Sequence, residues 1–382
     1  MPDSNSFLGR VPSELRIRFG LANTSVGELG QKAALMKNTG GESDRVRIIL
    51  DWTGMFGMPI QKLWHSSRPS CDVRERCVVT RDRNYTGDAH AVVFHFRDMK
   101  ARPQMLPSIR HHSQRYVFFL LESPHHTGNS MLLKTNLSAF FNWTMTYRLD
   151  SDIPWPYAAT QPRSSESGEL HYNRTLKQLQ NLTLTRETPV AWFVSNCHTP
   201  SERDEFVLAL QRHIKVDVYG TCGNLTCPRA HERLCDAVLR RRYWFYLALE
   251  NSVCRDYVTE KLFYRAYANL LVPIVLSAHV YRPLAPNGSY VAADAFRSVR
   301  ELAAHLEYLM SNRSAYFEYF RWHRTHSVVT WTENGQAALC QLCRRLATRA
   351  PTARTDRTSV HDWWIQGADC RPRYGRWLAQ RN

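Results

Sequence analysis

The run Phe245-Tyr-Leu-Ala-Leu-Glu-Asn-Ser-Val-Cys-Arg-Asp-Tyr-Val-Thr-Glu-Lys261 constrains the fold more than any other stretch of the chain. An apolar strand pattern over residues 243–249 breaks at Glu250 and Asn251, and a helical pattern begins near Thr259. Leu262, Phe263, Ala266, Tyr267, Leu270 and Leu271 share its apolar face. Pro273 ends that pattern, and Pro273-Ile-Val-Leu276 reads as a second buried strand. A strand, loop, helix, strand unit of this kind belongs in a parallel α/β sheet, with ligands beyond the carboxyl end of the first strand. A helix start offers free N–H groups and a positive dipole end, and Lys261 adds a full charge, so the junction predicts an anion pocket suited to phosphate.

At 382 residues the chain exceeds what one hydrophobic core usually holds, and two domains are expected. Residues 1–44 are polar and rich in Gly, Ser and Asn, and read as a stem or loose lead-in. Strand-type runs at 46–50, 91–96 and 116–121 place an α/β domain over residues 45–160. Residues 161–187, with Ser-Ser-Glu-Ser-Gly and two sequons, read as a surface connection. Strand runs at 190–194 and 216–219, a helix near 204–213 and the opening junction make a second α/β domain over 188–330. Residues 331–382 form a tail with Trp331, Trp363, Trp364 and three cysteines. Periodicity alone supports two α/β domains and nothing finer.

The net charge of +16 admits nucleic acid, a membrane surface or an anionic small molecule as partner. The basic residues are spread along the chain, and neither zinc-finger spacing nor an RNA-binding signature occurs, so nucleic acid is not expected. Ten cysteines together with nine Asn-x-Ser/Thr sequons favour an oxidising, secretory-pathway compartment; Asn142, Asn173 and Asn181 are expected glycan acceptors. Residues 1–45 hold no apolar run long enough for a signal peptide or membrane anchor. The chain therefore reads as the luminal part of a longer protein or as an incomplete gene product.

The junction string, Phe-Tyr-Leu-x-x-Glu-Asn-Ser followed by Asp-Tyr-x-Thr-Glu-Lys, resembles the donor motif of the GDP-fucose-dependent α1,3-fucosyltransferases, glycosyltransferase family 10. Residues 141–153, 190–196, 216–220 and 319–322 are similar to family segments in family order, so the resemblance spans roughly residues 46–375. It implies a GT-B architecture, two Rossmann-like α/β domains facing across a cleft. It further implies GDP-fucose as donor substrate, a glycan acceptor and no obligatory metal, a divalent cation being at most stimulatory. Family members look like type II Golgi proteins, so this chain is expected in the Golgi lumen or secreted, touching a membrane only through an N-terminal anchor.

Glu122 follows the strand run at 116–121 and opens Glu-Ser-Pro-His-His. A Glu at a strand end reads first as a solvated edge residue; the resemblance to the family's Leu-Glu-Ser-Pro segment implies the catalytic base. The resemblance also places Lys261 and Arg203 on the diphosphate, and Asn251, Tyr257 and Glu260 in the donor site. Glu250 suits donor binding or a helix cap, and Ser195 and Asn196 face the same cleft if their strand is a parallel neighbour. Asp150-Ser151-Asp152 has the spacing of a divalent-cation site, but it lies in a segment similar to the family's acceptor-side motif. Asp152 and Tyr157 are thus implied on the acceptor side without a metal, and Ala158 stands where the motif usually carries Gly.

Cys340-Gln-Leu-Cys343 alone reads as half a zinc site or a redox pair. The resemblance implies instead that Cys71 bonds Cys340 and Cys77 bonds Cys343. The pairing of Cys197, Cys222, Cys227, Cys235, Cys254 and Cys370 stays open. The segment 219–229, Cys254 inside the donor motif and Asp362-Trp-Trp with Cys370 are most like the invertebrate branch that fucosylates the Asn-linked core GlcNAc of N-glycans. Two other readings stand beside it: an enzyme acting on antennal GlcNAc, and an inactive, secreted glycan-binding relative.

Overall fold

The computed structural model describes residues 46–64, 71–73, 76–101, 106–108, 110–127, 140–227, 231–348 and 359–381. The lead-in at 1–44 lies outside them. Short runs rich in Val, Ile and aromatic residues, buried on both faces, build parallel sheets. The first sheet contains β1 (Arg47–Asp51), β2 (Cys77–Thr80), β3 (Ala91–His95), β4 (Arg115–Leu120), β5 (Trp143–Thr146) and β6 (Ile153–Pro154). These pair in parallel in the order β2-β1-β3-β4-β5-β6. β7 (Ala159–Pro162) follows outside it. The second sheet contains β8 (Thr188–Phe193), β9 (Val216–Tyr219), β10 (Tyr243–Leu247), β11 (Val272–Val275) and β12 (Val291–Ala292). Its parallel order is β12-β11-β10-β8-β9. β13 (His326–Val329) pairs antiparallel with β7.

In the second sheet the chain runs outward on one side from β8 to β9 and on the other from β10 through β11 to β12. The carboxyl ends of β8 and β10 therefore flank the switch point, where an open α/β sheet leaves a crevice. Gly220, at φ +102°, lets the end of β9 close against β8: a Cβ there would stand 2.4 Å from the Val194 carbonyl oxygen.

One local reading changes. The connection at 161–187 is mostly an 18-residue helix, Ser165–Leu182, which buries Tyr172, Thr175 and Leu179; its many polar residues hide a narrow apolar stripe. The tail packs on the first sheet. Helix Trp331–Ala347, started by a Thr330/Glu333 capping box, contributes Trp331, Ala338, Leu339 and Leu342 to the core of the first sheet. Gly335 permits its approach, since a Cβ would lie 2.5 Å from the Trp155 ring. Cys71 is bonded to Cys340 and Cys77 to Cys343, which closes this helix onto the first sheet. Beyond it, helix Tyr374–Ala379 packs on helix Arg203–Leu210 of the second half.

Two histidines, the half-buried His90 and the buried His323, are expected to make the fold acid-sensitive. His90 Nδ1 accepts a 3.1 Å hydrogen bond from the Ile48 N–H, which requires the neutral ring; burial, then Arg47, lowers its pKa to about 4. Burial, then His171 and Arg163, lowers His323 to about 3. Both pKa values lie below the unfolded value near 6.5, so the stability they contribute is complete above pH 6.5 and is lost as the pH falls toward 4 and then 3. Asp51, raised by burial to about 6, works in the opposite sense below pH 6, but its shift is smaller than those of the two histidines together. We expect Tm to fall between pH 6.5 and 4, and to fall less steeply in His323→Gln. Equal slopes for the variant and the parent would contradict this.

Candidate active site

The carboxyl ends of β4, β8 and β10 supply the polar groups. Glu122 follows β4 by two residues, and its side chain is about one-quarter exposed. Its Oε1 stands 3.8 Å from Arg97 Nη1, and its Oε2 accepts a 3.4 Å hydrogen bond from the Tyr257 hydroxyl, which belongs to the second half of the chain. Tyr157, from the turn between β6 and β7, donates to the Leu121 carbonyl at 3.0 Å and stands edge-on to Tyr257, so it backs the same loop. Burial, then the Glu122 charge, keeps both tyrosine hydroxyls protonated and hence donors.

Tyr257 arrives there because the loop after β10 plugs into the core around the first sheet. Asp256 sits in the left-handed region at φ 58°, which Asp tolerates better than most residues, and its Oδ2 accepts from the Leu149 N–H at 3.1 Å. The Tyr257 ring packs 5.0 Å from Tyr147. Cys254 is bonded to Cys370, tying this loop to the tail as well. The other open pairs resolve as Cys197–Cys222 and Cys227–Cys235, so all ten cysteines are paired.

The junction itself corrects the expected helix start. Lys261–Ala266 forms a π turn, Tyr267–Asn269 a 3₁₀ turn, and Leu270 stops the chain at φ 55°. The Thr259 N–H is not free for an anion: it donates to Glu250 Oε1 at 2.7 Å, and Lys261 Nζ lies 2.9 Å from Glu250 Oε2 and 3.2 Å from Glu260 Oε1. Glu250 thus caps the turn, and positive charge at the junction comes from Lys261. Burial disfavours the lysine's charge, but Glu250 and Glu260 outweigh it and hold Lys261 above the ordinary lysine range. Burial pushes Glu250 up. Burial also acts against Glu260, but Lys261 prevails and holds it low.

Arg203 is buried over the Trp192 ring and donates to the carbonyls of Leu249 and Asn196, clamping the ends of β10 and β8 together. Ser195 is exposed beside Asn196 at the β8 lip. Two buried atoms here, Arg203 Nε and Asn251 Oδ1, have no hydrogen-bond partner among the described residues, as suits a ligand site. A small pocket opens behind Glu250, lined by Ser252, Leu276, Ser277 and Tyr281.

Asp150 and Asp152 turn to different partners. Asp150 accepts from Arg148 Nε and Nη2 and from the Trp363 indole N–H, while Asp152 Oδ2 accepts from Thr144 N–H and Oγ1. Asn173 and Asn181 are exposed on helix Ser165–Leu182, whereas Asn142 Oδ1 accepts from Arg110 and the Tyr116 N–H. Arg97, Ser123 and Ser252 are site neighbours that sequence reasoning did not single out. Arg97 carried a signal, a basic residue just past a strand end.

Comparison with known proteins settles the lineage. Residues 183–363 match the family described as glycosyltransferase family 10 (fucosyltransferase) C-term, and residues 44–158 match the fucosyltransferase N-terminal family. The chain belongs to the family-10 fucosyltransferases. This family member is 36% identical over 276 residues to α-(1,3)-fucosyltransferase fut-1 of Caenorhabditis elegans, covering 70% of this chain and 60% of the relative. It is 33% identical over 365 residues to α-(1,3)-fucosyltransferase C of Drosophila melanogaster, covering 88% and 83%. A crystal structure of an α1,3-fucosyltransferase with GDP-fucose shares the fold at TM-score 0.50 and 15% identity, over 85% of this chain and 97% of that one. The α/β class and GT-B architecture agree with it.

Proposed function

We propose that this family-10 chain is an inverting enzyme that transfers L-fucose from GDP-β-L-fucose to O3 of N-glycan GlcNAc, the Asn-linked core residue above all. The reading is carried by the meeting of Glu122 with the donor junction, through the 3.4 Å contact from the Tyr257 hydroxyl. Inversion needs a base on the acceptor side and positive charge on the leaving-group side. Glu122 removes the proton from the acceptor O3 as that oxygen attacks the anomeric carbon, and the bond to GDP breaks. Lys261 faces the departing diphosphate. Arg203 supports it from beneath while fixing both strand ends. Asn251, Glu260 and Tyr257 serve the sugar, and Ser195 and Asn196 form the opposite lip. The route assigns no metal to Asp150 or Asp152, whose oxygens already serve Arg148, Trp363 and Thr144.

The bridges Cys197–Cys222 and Cys227–Cys235 around segment 219–229, with Cys254–Cys370, support the core-acting branch, and five disulfides suit the Golgi lumen. Incubation with GDP-fucose and a defined N-glycopeptide, followed by mass spectrometry, is expected to locate fucose on the core GlcNAc. Fucose on an antenna would reassign the acceptor. Glycan binding without transfer would reject the enzyme reading.

A further inference from the structure

A second contact joins the Glu122 loop to the donor junction, and no ligand-facing role accounts for it. Ser123 Oγ donates to Ser252 Oγ at 2.8 Å across 129 positions of sequence, and both residues are fully buried. One serine follows Glu122 beyond β4; the other follows Asn251 beyond β10. The bond therefore ties facing strand ends at the positions next to the reacting groups.

Both ends of the tie are rigid. On the first side, Tyr157 holds the Leu121 carbonyl and Pro124 stiffens the chain after Ser123. On the second, Ser201 donates through its hydroxyl to the Glu250 carbonyl at 2.8 Å and through its N–H to the Asn251 carbonyl at 3.0 Å. A shift at either serine is passed to Glu122 rather than absorbed by the loop. A buried hydroxyl pair in a low-dielectric surrounding is also costly to leave half-made.

We propose that the donor junction aims the base. Ser252, acting through Ser123, is a positioning residue, and Tyr257, besides its place in the donor site, holds Oε2, so that both keep Glu122 in register with the bound donor. The inference rests on Glu122 being the base. Misplacement by about 1 Å is enough to cost about 100-fold in rate.

The test is a cycle of Ser123→Ala, Ser252→Ala and the double variant. It measures kcat, the KM for GDP-fucose, GDP affinity by equilibrium titration, and the division of GDP-fucose between transfer and hydrolysis. Each single variant is expected to lower kcat about 10- to 100-fold. Ser123→Ala, which lies outside the donor pocket, should keep GDP affinity within about twofold. Hydrolysis should rise relative to transfer, because an acceptor hydroxyl no longer held on its base competes less well with water. The double variant should be no worse than the poorer single, since one bond is lost once. Losses that multiply in the double, or an unchanged division between transfer and hydrolysis, would overturn the proposal, as would a kcat that falls only in step with Tm. Glu122→Gln separates the two readings: if it is inactive while the serine losses multiply, only the latch fails; if it is active, the base assignment fails.

Discussion

Glu122→Gln lowers the transfer rate by about 10²- to 10⁴-fold, the contribution expected of a positioned general base, and leaves GDP affinity near that of the parent. The amide is nearly isosteric and still presents an oxygen to the Tyr257 hydroxyl, so the loop keeps its partner across the cleft. What disappears is the negative charge beside Arg97 and the capacity to accept the acceptor's proton. Single-turnover kinetics with saturating GDP-fucose, paired with calorimetric titration of GDP, checks both halves. Parent-like turnover in the variant would remove Glu122 from the mechanism.

The second large effect is at Lys261. Lys261→Met should reduce kcat by about 10²- to 10³-fold through lost stabilisation of the leaving diphosphate. It should also destabilise the fold by about 3–5 kcal/mol, because the buried Glu250 carboxylate keeps its burial and loses its cation. Adding Glu250→Gln separates the two roles. Its amide oxygen still accepts from the Thr259 N–H, so the double variant should regain most of the thermal stability while remaining slow. Turnover regained together with stability would mean that Lys261 only neutralises Glu250. Melting curves and initial rates on the three proteins decide it.

The strands were the legible part of this fold. Runs such as Ala91–His95, Arg115–Leu120 and Tyr243–Leu247 are buried on both faces, so continuous apolar character announces them. The strand β6, of two residues, and β5, whose Thr144 and Thr146 dilute its apolar pattern, gave no such signal. Spacing after Thr259 did find the apolar face, but that face alone does not separate an α-helix from the π and 3₁₀ turns that follow; the Leu270 reversal depends on tertiary packing. In the candidate site, Glu250 stands out because it ends an apolar run and Lys261 because it opens the helical pattern, whereas Glu122 alone reads as a solvated strand-end residue and is singled out only by the resemblance. Ser123 and Ser252 were not: two ordinary hydroxyls acquire meaning only when two sheets bring residues 129 positions apart into contact. Arg203 was marked only by the resemblance, and its clamp on two carbonyls depends on the spacing of β8 and β10, which no local pattern records.

The helix Trp331–Ala347 inside the first domain's core has a consequence for biosynthesis. Cys71 and Cys77 wait for partners 269 and 266 residues downstream, so the half made first cannot close its core until nearly the whole chain has been synthesised. During that interval Cys71 and Cys77 meet earlier-made thiols such as Cys197 and Cys222, and any bond formed out of order has to be exchanged before the native pairs can close. A premature stop anywhere before Cys340 therefore strands the first domain as surely as a deletion within it, and quality control would see a protein damaged at its beginning by a lesion near its end.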